Sequence, residues 1–434
     1  MFWEKYNKIH KIYFTHNKID YDILEGVMCK EAKILLIISA IFTFAMGLSG
    51  IFVNVFFWRQ TSEFIVIVIY NLMHYLSTPI GFILAGIVAK KKNGIWSLRI
   101  GLAIFAIFYG LMLLVGGRGI LYIYLLGIIY GMATGFYWLA FNTLSFDFTC
   151  TNNRDTFNGF NGSCAGIAAA VAPITSAFII SRFTSNKGYS IVFSATLALF
   201  VVLILVSLTL KCKNYGSRIN YKLAFGRNCR EWGIIRKATL LWGFRDVIIA
   251  FTVNILIIQA TGSELSLGKL TFIALLLSSA SYVLVQKIIK PPKRSLAVYI
   301  GTIGSYAAVL IVAYKVIYST LMLYVLLDAF FLPFFLIQLS SSSFNVINRA
   351  HDEDMRVEYM INKDIVLNMG RIISAVILII LLSIFKKSSI LKLYLIFIGL
   401  APIASGFFLR QLKEVLGGGC VPEPKAPMSN EDQQ

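Results

Sequence analysis

Asp328 is the deepest carboxylate of the chain, some ten residues into an apolar stretch that opens near position 318, with no cation close to it in sequence. An ionisable group near the centre of a bilayer costs about 2.5–3.5 kcal/mol on insertion scales, so its retention points to a task. A carboxylate that meets oil and water in alternation can take up a proton and release it, and Asp328 is read as a proton-coupling residue. The competing reading is a static pair with Arg371 or Arg245. Arg245 and Asp246 form the second charged cluster; as helix neighbours they point about 100° apart and must find partners on other helices. A network of Arg245 and Asp246 with Arg371 would satisfy them. Asp246 then joins Asp328 as a proton-coupling candidate, and either Arg245 or Arg371 could neutralise an anionic substrate.

The other polar groups inside apolar stretches are Asn54, Asn71, His74, Asn254, Gln259 and Gln338. Tyr137, Trp138 and Asn142 stand about two turns before Asp147. We read Asn54, Tyr137, Trp138, Asn142, Asn254, Arg245, Gln338 and Arg371 as the lining of a substrate cavity, against a default of hydrogen bonds between helices. Asp147, Arg154 and Asp155 lie at one helix junction of the first half, and Arg349, Arg356 and Glu358 at the matching junction of the second. Ion pairs among Asp147, Arg154, Arg356 and Glu358 are read as a cytoplasmic gate, each worth about 0–1 kcal/mol if solvated.

Several chemistries lack their residues. The chain has no GxxxxGKS/T nucleotide loop, no HExxH and no GxSxG, which argues against an ATP-driven pump and an intramembrane hydrolase, and an enzyme is not expected. The cysteines at 29, 150, 164, 212, 229 and 420 show no CxxC or paired spacing, so neither a disulfide framework nor a metal site is expected. No cofactor is implied.

The elements that position these groups are membrane helices. Of 434 residues, 58% are hydrophobic and 14% charged, and the mean hydropathy is +0.75, outside the range of soluble domains. Windows of about 20 apolar residues, enough to cross a hydrocarbon core, recur along almost the whole length. They predict an all-α membrane protein of twelve transmembrane helices, at 34–58, 64–88, 97–115, 120–145, 157–180, 189–210, 238–259, 267–288, 295–314, 318–344, 363–385 and 388–410. The stretch 211–237 holds eight Lys/Arg against the single acid Glu231 and divides the spans into two sixes. The organisation expected is a segment 1–33, a six-helix bundle 34–210, a central loop 211–237, a second bundle 238–410 and a flexible tail 411–434.

The net charge of +19 reports orientation rather than nucleic-acid binding, because Lys and Arg concentrate in alternate short loops, 29 on one face against 7 on the other. That face comprises both termini and the central loop, which places them in the cytoplasm of a multi-pass plasma-membrane protein. The first 33 residues lack the apolar core of a cleavable signal peptide.

The halves also echo each other. Val53-Asn54 returns as Val253-Asn254, Ser62-Glu63 as Ser263-Glu264, and Ser145-Phe146 as Ser343-Phe344, at offsets between 198 and 201. Two pseudo-symmetric bundles follow if these repeats reflect duplication, a construction used by secondary transporters with the substrate site near midplane. Gly127, Gly131 and Gly135 strip one face of the fourth helix and predict a close packing seam.

In the fifth helix, Gly159, Ala168, Ala172-Pro173 and Ser176-Ala177 resemble the antiporter motif of the major facilitator superfamily, with most glycines replaced by Ala or Ser. Gly159 and Pro173 are read as hinge or packing positions. Gly86, Ala89, Lys90-Lys91-Lys92, Asn93-Gly94 and Arg99 resemble that superfamily's loop after the second helix, with Lys90 where an Asp is usual and Asn93 where a Gly is usual. The stretches 136–142, Asn153-Arg154-Asp155 with Phe157-Asn158-Gly159, and Glu358-Tyr359 with Asn368-Met369-Gly370-Arg371 carry a likeness to a bacterial branch of the superfamily.

The resemblance implies a secondary transporter working by alternating access; with the buried carboxylates above, a lipid bilayer, protons and a small-molecule substrate are the expected partners, and a monomer is expected. Its fifth helix tilts the reading toward a proton-coupled exporter, and the aromatic content toward an amphiphilic or drug-like solute. A lipid or lipid-precursor translocase, and a non-transporting membrane scaffold or sensor, are the alternatives.

Overall fold

A computed structural model describes residues 28–416 except 150, 184–185, 213, 215–218, 227–228, 350–354 and 386–388. In a bilayer every backbone N–H and C=O must be satisfied within the protein, so long apolar stretches fold as helices. The first six are α1 (Lys30–Thr61), α2 (Phe64–Lys91), α3 (Gly94–Val115), α4 (Ile123–Asp147), α5 (Thr151–Arg182) and α6 (Lys187–Ser207). After a link containing the short helix Tyr221–Phe225 come α7 (Arg230–Thr261), α8 (Glu264–Ile288), α9 (Arg294–Tyr314), α10 (Tyr318–Arg349) and α11 (Arg356–Ile384). The last span, α12, is two segments, Ser389–Gly399 and Ala401–Leu409. Eleven apolar helical stretches are long enough to cross a membrane, and one of them, Gly94–Asp147, holds both α3 and α4 joined by the 3-10 turn Gly116–Tyr122. The described residues thus contain the twelve expected spans.

The helices outrun their apolar windows. α7 begins at Arg230, inside the stretch read as loop, and α11 begins at Arg356 rather than near 363, so Glu358 and Lys363 ride on a helix. Hydropathy marks the oil-facing length; caps set the ends. α12 breaks at Leu400, and Pro402 occupies the first turn of its second segment, where a missing N–H is tolerated. The tail beyond 416, most of the segment 1–33, and Cys150 and Cys420 lie outside the described residues.

The halves repeat down to their caps. α1 and α7 are both 32 residues long and begin 200 positions apart. Each starts at a cysteine N-cap, where Cys29 Sγ accepts from the Ala32 amide at 3.4 Å and Cys229 Sγ from the Trp232 amide at 3.4 Å. Each ends in a left-handed residue, Ser62 at φ 55° and Gly262 at φ 65°. The packing repeats as well. In the first half α1 lies against α5 and α6, α2 against α4, and α3 against α4 and α6; adding six to each number gives the packing of the second half. The halves meet through α2 with α11, α5 with α8, and α1 with α7.

Small residues permit these approaches. A Cβ on Gly127 would meet the Tyr70 carbonyl of α2 at 2.6 Å, and Gly131 and Gly135 face His74 and Thr78 of the same helix, which makes the expected seam. On α5, Ala172 stands 2.8 Å from where a Gly47 Cβ would be, and Ala177 and the Pro173 carbonyl crowd Gly268 of α8. Gly159 departs from the expected packing role: nothing lies within 4 Å of where its Cβ would stand.

Candidate functional site

The charged network expected around Arg245, Asp246 and Arg371 divides in two, because neighbouring helical residues face different partners. Arg245 pairs with Asp328 of α10, and Ser305 of α9 donates to the same carboxylate oxygen. This cluster is buried within the second half, beside a small void walled by Val253, Val309, Tyr324 and Leu395. Asp246 instead takes Arg371 of α11, whose Nε donates at 3.0 Å. The Arg371 guanidinium also donates to Asn368 Oδ1 at 3.3 Å and lies 5.2 Å from the Tyr75 ring of α2. The second cluster therefore touches the first half through α2. Asp364, one turn earlier on α11, accepts from Asn368 Nδ2 at 3.0 Å.

Ion pairs join the halves at both ends. At the end that carries the basic link, Arg356 donates to Asp147 at 2.9 Å, and Lys90 lies 3.3 Å from the buried carboxylate of Glu358. Glu358 also accepts from the Asn220 amide of the link at 3.1 Å. At the opposite end Arg59 donates to Glu264 at 2.9 Å and to the Gly262 carbonyl at 2.8 Å, while Tyr189 donates to Glu264 at 2.9 Å. Of the expected gate, Asp147, Arg356 and Glu358 are at this junction; the side chains of Arg154, Asp155 and Arg349 lie outside the described residues. Arg356, across the halves, is a partner of Asp147.

A cavity of about 610 Å³ lies nearer the basic end, walled by Asn158 of α5, Thr239 and Trp242 of α7, Tyr282 and Gln286 of α8, Leu336, Ile337, Leu339, Ser340, Ser341 and Phe344 of α10, and Lys363 and Leu367 of α11. Both halves contribute to it, and its size falls within the range of small-molecule sites. Lys363 is its one charged lining residue and makes no hydrogen bond or ion pair among the described residues. A larger groove of about 820 Å³, lined by Arg230, Arg236, Lys237, Met369 and Gln411 among others, belongs to the second half alone.

None of the side chains expected to line a cavity lines this one. Asn54 accepts from Asn71 at 2.8 Å across α1 and α2. Tyr137 is buried and stacked on Phe42, with ring centroids 3.3 Å apart. Trp138 is 44% exposed and meets Phe42 and Phe141 edge-on. Asn142 lends its carbonyl to Ser145 at 2.8 Å, and Asn254 lies on α7. Gln338 is buried with its Oε1 unpartnered, one position from the wall residues Ile337 and Leu339. Its helix is the right one and its phase is wrong. Arg371 is one turn beyond Leu367 and held by Asp246. The residues that sequence reasoning missed are Asn158, Tyr282, Gln286, Ser340 and Lys363. With α11 starting at Arg356, Lys363 lies two turns inside the helix rather than at its first residue.

No protein-family model matches the chain. It is 32% identical over 397 residues to the uncharacterized protein YqgE of Bacillus subtilis (strain 168), covering 91% of each chain. It is 40% identical over 166 residues to the protein in the sodM 3′ region of Geobacillus stearothermophilus, covering 38% of this chain and 78% of that one. Among solved structures, the nucleoside transporter NupG superposes with a TM-score of 0.65 at 15% identity, over 88% of this chain and 99% of NupG. The Escherichia coli fucose:proton symporter FucP superposes with a TM-score of 0.60 at 15% identity, over 88% of this chain and 98% of FucP. At that identity the likeness establishes a fold, that of the major facilitator transporters.

Proposed function

We propose, from the premise that this chain belongs to the family of Bacillus subtilis YqgE and is built on the major facilitator fold, that it is a secondary transporter. It moves a small amphiphilic solute by rocking its two halves about the cavity between them. The observation that carries this reading is the cavity of about 610 Å³ walled by the second half and by Asn158 of the first, with ion pairs that cross between the halves at either end. Pairs of this kind, partly solvated and each worth about 0–1 kcal/mol, are suited to break and re-form as access alternates. The basic end is cytoplasmic in this proposal, on the excess of Lys and Arg there.

Proton coupling is assigned to Asp328, with Asp246 as the second carboxylate. Asp328 is held by Arg245 and Ser305, so adding a proton would free Arg245 and change the packing of α7, α9 and α10. Export is the direction proposed, on the small-residue pattern of α5. The test is flux in proteoliposomes with an imposed pH gradient and an interior pH dye. Solute-dependent proton movement in the wild type that disappears in Asp328→Asn supports the reading; solute flux indifferent to the gradient removes the coupling.

A further inference from the structure

Three cations stand deep in the second half, and two of them are already neutralised: Arg245 by Asp328 and Arg371 by Asp246. Each already holds a carboxylate, so an anionic solute would compete with that partner. Lys363 differs on both counts. It lines the cavity, and it makes no ion pair or hydrogen bond among the described residues. Its sequence neighbour Asp364 points about 100° away along the helix and is engaged with Asn368.

The rest of the wall specifies what would sit against that ammonium. Asn158, Gln286 and Ser340 offer hydrogen bonds from three helices, and Trp242 and Phe344 offer flat apolar faces. One cation without a partner among the described residues balances one negative charge; a second negative charge would find no cation among the lining residues. A single-headed organic anion brings its charge to Lys363 and its apolar body to the rings.

We propose that this cavity binds an organic monoanion, a carboxylate or sulfonate with an apolar or aromatic body, through Lys363. The proposal rests on the transport reading for its purpose but not for its test, because equilibrium binding requires no movement. The experiment uses the purified full chain in detergent and thermal-shift titration with benzoate, 4-phenylbutyrate and octanoate. Each acid is matched with its neutral amide, and phthalate serves as the dianion.

Saturable stabilisation by at least one monoanion, with its amide and phthalate weaker, is expected. Lys363→Gln weakens that binding at least about tenfold, and Lys363→Arg retains it. Without ligand, Lys363→Gln melts no lower than wild type, since it removes an unpaired cation. Amides that bind as well as acids, acids that bind Lys363→Gln unchanged, or no acid binding at all would each overturn the assignment. Binding without flux would instead count against the transport reading, and flux of a neutral solute indifferent to Lys363→Gln would spare transport while removing the anion site.

Discussion

Arg356 of α11 donates to Asp147 of α4 at 2.9 Å, joining residues 209 positions apart and tying the two halves at the end that carries the basic link. The side chains are 29% and 9% exposed, so water screens the pair and its worth is about 0–1 kcal/mol. Removing it with Arg356→Gln should shift the populations of the two access states by no more than about fivefold, with little loss of folding stability. The measurement is alkylation of a cysteine placed at Ser341 in the cavity wall, which should speed up by that factor. An unchanged rate would show that the pair does not restrain access.

The Arg245 and Asp328 pair behaves differently because it is buried. Stripping one partner leaves an uncompensated charge and costs about 3–5 kcal/mol, whereas replacing both with apolar residues is often close to neutral. Asp328→Asn should therefore lower the melting temperature more than the double variant Arg245→Leu, Asp328→Leu. The double variant also separates architecture from coupling. Folded but unable to move protons with solute, it would confirm Asp328 as a carrier; coupled transport in it would make the pair a strut.

Glycines on α4 and α5 give opposite expectations. A side chain on Gly131 collides with Ser77 and the His74 carbonyl, so Gly131→Leu should prevent assembly of α4 on α2, read as loss of monodisperse protein. Gly159 has open space around it, and Gly159→Ala should be neutral or stabilising by up to about 1 kcal/mol through helix propensity alone. A melting temperature that falls in Gly159→Ala would reveal a hinge there.

The two left-handed caps form a matched pair. Gly262 at φ 65° uses a conformation that a Cβ disfavours, so Gly262→Ala should destabilise by about 1 kcal/mol, and Ser62→Gly at φ 55° should stabilise by a few tenths to about 1 kcal/mol. Paired thermal melts check both signs, and equal shifts would argue against the cap geometry.

Much of the fold was legible because the bilayer restricts the chain to apolar helices of set length. The twelve spans and the Gly127, Gly131, Gly135 seam follow from hydropathy and spacing. The repeat of Val53-Asn54 at Val253-Asn254 marked an offset that the Cys29 and Cys229 caps also keep. The site was less legible, since hydropathy says how deep a residue lies but not which way its helix is turned. Gln338 and the cavity wall share a helix, yet Ile337, Leu339 and Ser340 on either side of it reach the space and Gln338 does not. Lys363 stood at the first residue of its expected span because the polar residues at 356–362 delay the apolar window past the true helix start at Arg356. Arg245 and Asp246 were seen to diverge; that they reach separate carboxylate and guanidinium partners is a fact of tertiary packing.

Rocking of the two halves about their shared cavity is tested most directly by distances at both ends of the molecule. Spin labels at Glu63 and Ser266 report the end held by Arg59 and Glu264, and labels at Lys91 and Lys287 report the end held by Arg356 and Asp147, in a chain whose native cysteines are replaced. Alternating access predicts that pulsed electron–electron resonance in liposomes finds two populations at each pair of sites, shifting in opposite senses between pH 5 and pH 8 or on adding a bound solute. A single fixed distance at both ends under every condition would contradict it.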